Sequence, residues 1–484
     1  MKDRSIEVLE FFGVKYAENA GRFRYARPIS SADDMPEAGE KPPVFAQNPG
    51  RLISAVGDLA AGFEQSEDAF RLNIWTRGTE GKKPVLFWIH GGQFTIGGGV
   101  TPSCDGRSWV NEEDMVFVAV NYRLDAFGVA YLPGLGDENP ALFDILLAFD
   151  WVRRNIGRYG GDPDNICIGG QSAGAWYALA MLGIPEFKGQ IKRAMLLSNP
   201  GSCKPMTHEE ALPMTEVLFK KLGLYGENRS LILEPETVST ESIKEAQIAA
   251  AKKSKQLGVG FMPVIDGRLI ATDDILSAAV EVSGGTVDVL CSATDYETSI
   301  FVAKFKKLMP LAFSDALFSS VIKKLYKAPA AEVFKFHREK LKERSRKGIY
   351  DEVIQLSTDP IFRAPAFRTA EMMSAKGSKA YVASVDYEHG EESLGACHCF
   401  DLPLIFDNLD KWQGAGMLNV SEDSCGKMVE LAAKYNAAAA KFACGKTPEF
   451  EGVGEWLPFS ADKRNVLSVK SQTELIVSRE KFID

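Results

Sequence analysis

Apolar residues fall along this chain in short runs, separated by longer stretches in which they recur every three or four positions. Arg71–Thr76 (RLNIWT), Pro84–Ile89 (PVLFWI), Met115–Asn121 (MVFVAVN) and Ile166–Ile168 are rich in β-branched and aromatic residues and predict buried strands. Leu142, Ile145, Leu146, Phe149 and Val152 follow the helical spacing instead, which predicts a helix over Leu142–Ile156 packed on a sheet. Ala194–Leu197, Thr286–Cys291 and Ala380–Val385 predict further strands. Strands alternating with helices predict an α/β fold with a mostly parallel central sheet and helices on both faces. Residues 205–256 and 304–376 are amphipathic and helical with few strand signals, and predict insertions that form a cap. Length alone would allow about three domains. With no internal repeat or low-complexity linker, residues 1–484 read as one.

The chemistry centres on Tyr159–Leu182. A strand at Ile166–Ile168, a tight turn at Gly169–Gly174 and an apolar helix at Ala175–Leu182 surround Gly170, Ser172 and Gly174, the G-x-S-x-G spacing of a nucleophile elbow. The glycines leave room for a sharp turn that exposes the serine, and the helix directs its free N–H groups towards a developing oxyanion. His90-Gly91-Gly92-Gln93-Phe94 follows a predicted strand, and its glycines let backbone N–H groups approach a substrate oxygen. Gly97-Gly98-Gly99 lacks the following Lys-Ser/Thr of a phosphate loop.

A serine hydroxyl needs a base, and the chain has 5 histidines. His90 belongs to the glycine loop, and His208 and His337 lie in charged helical stretches where surface exposure is expected. His389 (DYEHGEES) and His398 (GACHCFDLP) remain as candidates. Cys397 and Cys399 flank His398, but no second close ligand pair accompanies them, so no metal is expected. For the carboxylate that orients the base, Asp295 and Glu297 stand in the loop after a predicted strand.

Composition narrows the partners. Hydrophobic residues at 45% with charged residues at 25% fit an ordinary globular chain, and the net charge of −9 disfavours nucleic acid or an anionic membrane as partner. The basic run His337–Lys347 (HREKLKERSRK) contains two glutamates and reads as a solvated helix face. No apolar leader region follows the N-terminal charges and no run of about 18 apolar residues occurs, so a cytoplasmic protein is expected. The 8 cysteines are too scattered for a disulfide scaffold.

GGDPDNICIGGQSAG resembles the serine signature of the type-B carboxylesterases, the cholinesterase-like branch of the α/β-hydrolases, with Gln171 where that family usually has glutamate. VLFWIHGGQF, SEDAFRLNIW, NYRLDAFGVAYL, Asn139–Asp144, FDWVRRNIGRYGGDP, PVIDG and GACHCFDLPLIF also resemble family blocks and keep the family's order. FFGVKYAENAGRF and EGVGEWLPF extend the resemblance to nearly the whole chain. The resemblance implies an α/β-hydrolase fold and a serine esterase that works through an acyl-enzyme without a cofactor. It implies Ser172 as nucleophile, Glu297 as acid and His398 as base, in the hydrolase order of serine, acid, histidine. His398 is preferred to His389 because the apolar block follows it, although Cys399 stands where glycine is usual. The implied oxyanion donors are the N–H groups of Gly92, Gln93 and Ala173. Ala69 occupies a position where secreted members carry a disulfide cysteine. The expected partner is a small-molecule ester, neutral rather than cationic because Gln171 carries no charge; amides and carbamates share the route. A catalytically silent binding protein is the alternative, and the retained candidate triad argues against it. Monomer and homodimer both remain open.

Overall fold

The computed structural model describes residues 7–29, 41–50, 52–254, 260–306, 322–343, 348–387, 394–412, 414–419, 422–470 and 472–483. Ten strands form its central sheet among these residues: β1 (Leu9–Lys15), β2 (Arg71–Thr76), β3 (Lys83–Ile89), β4 (Val116–Val120), β5 (Gly161–Gln171), β6 (Arg193–Leu197), β7 (Asp288–Thr294), β8 (Ala380–Val385), β9 (Asn465–Val469) and β10 (Glu474–Val477). Their spatial order is β1-β2-β4-β3-β5-β6-β7-β8-β9-β10. From β4 to β9 every pairing is parallel, and only the edge pairs β1/β2, β2/β4 and β9/β10 are antiparallel. Side chains alternate across the sheet, so that Val85, Phe87 and Ile89 of β3 enter one core while Leu86 and Trp88 enter the other. Burial on both faces explains why these strands read as apolar runs rather than as alternating patterns.

Helices α1 (Pro140–Asn155), α2 (Ala173–Leu182), α3 (His208–Leu222), α4 (Thr240–Ala251) and α5 (Ile275–Ser283) precede β7. After it come α6 (Ala330–Glu343), α7 (Ile349–Thr358), α8 (Ala364–Ala375) and α9 (Glu422–Ala443). Two of the sequence blocks meet in the first core: Arg123 holds Asp144 of α1 through Nε and Nη2 at 2.8 and 2.6 Å, with both side chains buried. Removing either partner would strand a buried charge. Helix α3 begins at a capping box between Thr207 and Glu210, and Ser239 caps α4. Parts of the second helical stretch, residues 307–321 and 344–347, lie outside the described residues. Among the described residues no helix is long and apolar enough to cross a membrane.

Several expectations need correction. The strand expected at Thr286–Cys291 runs from Asp288 to Thr294, because the N–H groups of Thr286 and Val287 close a turn onto Ser283 O. Gly169 and Gly170, expected in the turn, belong to β5; Gly169 lies beside the Trp88 ring, where a Cβ would come within 2.9 Å. The edge strands β1, β9 and β10 and the alanine-rich α9 add to the expected elements. His337 is fully buried, not at the surface: α6 packs on α7, and the imidazole Nε2 meets the Tyr326 hydroxyl at 2.8 Å. Three residues on, Lys340 is partly buried and pairs with Asp359 at 2.5 Å, so this face of α6 is packed against the protein rather than fully solvated. His208 is partly exposed, stacked on Tyr131.

Candidate active site

Strand β5 ends in the middle of the sheet, and Ser172 follows it directly with φ 57° and ψ −124°. A non-glycine residue held in that region is strained, and the surroundings fix it. Ser172 N–H donates to Leu197 O at 2.9 Å, and α2 starts at the next residue with all ten of its residues buried. Gly170 and Gly174 permit this crossing: a Cβ on Gly174 would stand 2.0 Å from Ile89 O, and one on Gly170 would stand 2.4 Å from the Gly174 carbonyl carbon. Chain crowding between β3 and the elbow therefore explains the G-x-S-x-G spacing.

The loop after β3 turns back over the serine. Gly92, Gln93 and Phe94 all have positive φ, at 121°, 58° and 63°. A side chain on Gly92 would collide with Ile96 O at 2.0 Å. The N–H groups of Gly92, Gln93 and Ala173 donate to no acceptor among the described residues, which leaves three backbone donors around the serine's end of the sheet. Phe94 anchors the loop edge-on against Trp176 and Tyr177 of α2. His90 stacks on Tyr122 at 4.3 Å and donates from Nδ1 to Gly91 O at 2.8 Å. Burial lowers its pKa to about 4, so it is neutral and braces the loop.

His398 Nε2 lies 2.8 Å from Ser172 Oγ and its Nδ1 lies 2.5 Å from Glu297 Oε2. The three residues come from the elbow, the loop after β7 and the loop after β8, and all are buried. Glu297 Oε1 accepts from Ser198 Oγ at 2.6 Å and Thr294 N–H at 2.7 Å, while His398 N–H donates to Glu297 O at 3.1 Å. Asp295, the other sequence candidate, turns away to an ion pair with Arg363. His389 lies outside the described residues. The rings of Phe362 and Phe301 flank the imidazole at 4.7 and 6.0 Å.

Burial opposes charge on the imidazole, but the neighbouring Cys399 and then the Glu297 carboxylate outweigh it and hold His398 well above the ordinary 6.5. An imidazole raised in this way stays protonated, and so unable to accept a proton, up to a higher pH. The acid limb of kcat/KM is therefore expected above 6.5 and should move down towards it in Glu297→Gln. A wild-type limb at or below 6.5 in a pH-rate profile would contradict this electrostatic account.

Two members of this cluster were not legible as functional. Ser198 occupies the position just after a predicted strand, at the sheet edge where β-strands deliver side chains, and that place was its only signal. Asp401, fully buried in the otherwise apolar stretch Phe400–Pro403, has no hydrogen-bond partner for either carboxylate oxygen among the described residues. Burial and then the nearby Glu297 push it up to about 7. Cys399 adopts φ 72°, the left-handed region that favours glycine. Its thiol contacts the buried Gln171 amide at 3.6 and 3.8 Å, so the two departures from the family pattern touch each other. Among the described residues no group of three or more His, Cys, Asp or Glu is arranged to hold a metal.

A strained serine at the head of a helix, beside unused backbone donors and in the middle of a mostly parallel sheet, defines a serine hydrolase on the α/β-hydrolase fold. The carboxylesterase family profile matches residues 1–482, and the chain belongs to that family. It is 29% identical over 472 residues to phenmedipham hydrolase of Pseudarthrobacter oxydans, covering 95% of this chain and 91% of that protein. Para-nitrobenzyl esterase of Bacillus subtilis is 26% identical over 470 residues, with the same coverage of 95% and 91%. The crystal structure of the Geobacillus stearothermophilus carboxylesterase EST55 superposes with a TM-score of 0.82 at 28% identity, covering 98% of this chain and 95% of that one. The protein is a serine carboxylesterase.

Proposed function

We propose that Ser172, His398 and Glu297 carry the hydrolysis of small neutral esters through an acyl-enzyme. The observation that supports this most is the single imidazole bridging Ser172 Oγ and Glu297 Oε2. Ser172 Oγ attacks the ester carbonyl as His398 Nε2 takes its proton, and Glu297 stabilises the imidazolium that forms. The N–H groups of Gly92, Gln93 and Ala173 hold the tetrahedral oxyanion. His398 then protonates the departing alcohol, and in the second half activates water to release the acid and regenerate Ser172. No cofactor enters any of these steps. The names phenmedipham hydrolase and para-nitrobenzyl esterase favour small organic substrates for this chain too. The eight unpaired cysteines favour a reducing compartment, and the cytoplasm is the proposed location. A fluorophosphonate probe should label the protein once per chain, on the peptide containing Ser172; labelling elsewhere, or none, would overturn the assignment.

Gln171 sets the proposed preference for neutral substrates. It precedes the nucleophile, is 1% exposed and packs between Gly91 and Cys399. A carboxylate here would attract a quaternary ammonium at about 5 Å by about 3 kcal/mol at an effective dielectric near 20, before desolvation and screening. The wild type is therefore expected to favour a neutral butyrate ester over butyrylcholine, and Gln171→Glu to shift the kcat/KM ratio towards the choline ester. A wild type that already prefers butyrylcholine by about tenfold, which is about 1.4 kcal/mol, refutes the idea.

A further inference from the structure

Between α7 and α8 the helix widens into a single π turn, Asp359–Arg363, a rare geometry often found at functional positions. Of two adjacent side chains of this turn, one touches the triad histidine and the other pairs with the loop that carries Glu297. The Phe362 ring lies against His398, and Arg363 pairs through Nη1 with Asp295, two residues before Glu297. The same guanidinium pairs through Nη2 with Glu480, in the stretch that follows β10. Its Nε stands 3.9 Å from Asp359, and Asp359 is bound by Lys340.

The centre of this cluster is buried, and it is tied at both ends. Asp295 and Arg363 are nearly inaccessible, and the backbone carbonyl of Asp295 also accepts from Gln355 Nε2 of α7 at 3.1 Å. On the far side, Arg464 donates to Glu480 O at 3.1 Å, and Phe482 packs on Phe367 of α8 at 5.2 Å. Lys340 lies over the Phe482 ring. A planar guanidinium shared between two carboxylates has its orientation fixed by both, so that the one on the C-terminal stretch decides how the fork presents itself to the one on the acid loop.

We propose that Arg363 and Glu480 are positioning residues for ester hydrolysis. Glu480 holds Arg363, and Arg363 holds both the loop that carries Glu297 and the ring that flanks His398. The C-terminal stretch is thereby a strut of the active site that acts through Arg363 rather than on the serine itself. This inference rests on the triad reading above. Without the Glu480 carboxylate the guanidinium swings towards Asp359, the Asp295 loop loosens, and the short Glu297–His398 contact lengthens.

The test compares Glu480→Gln, Glu480→Asp and Arg363→Lys with the wild type well below their Tm values, counting active sites by fluorophosphonate titration. Glu480 is partly accessible, so its variants keep the test open if Arg363→Lys folds poorly. Glu480→Gln is expected to lower kcat per titrated site about tenfold, with KM changed by less than about twofold. Its acid limb in kcat/KM should move to lower pH as the imidazolium loses support, and Glu480→Asp should recover most of kcat. A titrated kcat and acid limb equal to the wild type in Glu480→Gln, even with a lowered Tm, would reduce the cluster to a stabilising contact and overturn the inference. If Ser172→Ala is inactive and Glu480→Gln unchanged, only this inference fails; activity retained in Ser172→Ala would remove the triad reading itself.

Discussion

Replacing Ser172 by alanine is expected to lower kcat by on the order of 10⁴ or more, with a native fold. In the proposed mechanism the hydroxyl makes the covalent bond, and the buried groups around it, His398 and the three N–H donors without an acceptor among the described residues, offer no second nucleophile. Alanine keeps the backbone at the elbow, where Ser172 N–H still bonds Leu197 O and the crossing glycines still fit under β3. The loss should therefore appear in kcat with the circular dichroism spectrum unchanged, and labelling by a fluorophosphonate should vanish. Ester turnover within tenfold of wild type would refute Ser172 as nucleophile.

His398→Ala should be nearly as damaging, by on the order of 10⁴ in kcat, for a different reason. The serine remains, but its proton has no acceptor: Glu297 approaches only through Nδ1 of the imidazole, and the other histidine in this part of the sheet, His90, is committed to Gly91 O. Fluorophosphonate labelling should slow in proportion, because it needs the same proton transfer. His389→Ala should stay within about twofold of wild type in kcat, since the residue that bridges serine and carboxylate is His398. The reverse pattern, an active His398→Ala and an inactive His389→Ala, would transfer the base to His389.

The nucleophile elbow was legible from its residues alone. Its strand, glycines and helix are consecutive, and the steric reason for Gly170 and Gly174 is local to the crossing under Ile89. The interior strands were legible for a related reason, because burial on both faces demands unbroken apolar runs such as PVLFWI. The sheet edges were not: β10 has partly exposed residues and follows no such rule. The choice of acid was open on spacing, since Asp295 and Glu297 share one loop, and resemblance to a family preferred Glu297.

What the sequence by itself determined is therefore the set of groups whose constraints act between near neighbours: the elbow, the glycine loop after β3, the alternating α/β pattern and the serine chemistry they imply. The tertiary structure decided everything that depends on which distant strand ends lie side by side. It turned Glu297 to the imidazole and Asp295 to Arg363, set Ser198 behind the acid, and buried Asp401 beside it. It also drew His337 into the interior and brought Glu480 to Arg363, which in turn pairs with Asp295 of the acid loop. Strand order joins β5, β6, β7 and β8 into adjacent positions, and no local periodicity encodes that order. A carboxylate in a loop reads the same whether it meets water, a guanidinium or a catalytic histidine, and only packing across the sheet's carboxyl edge separates those cases.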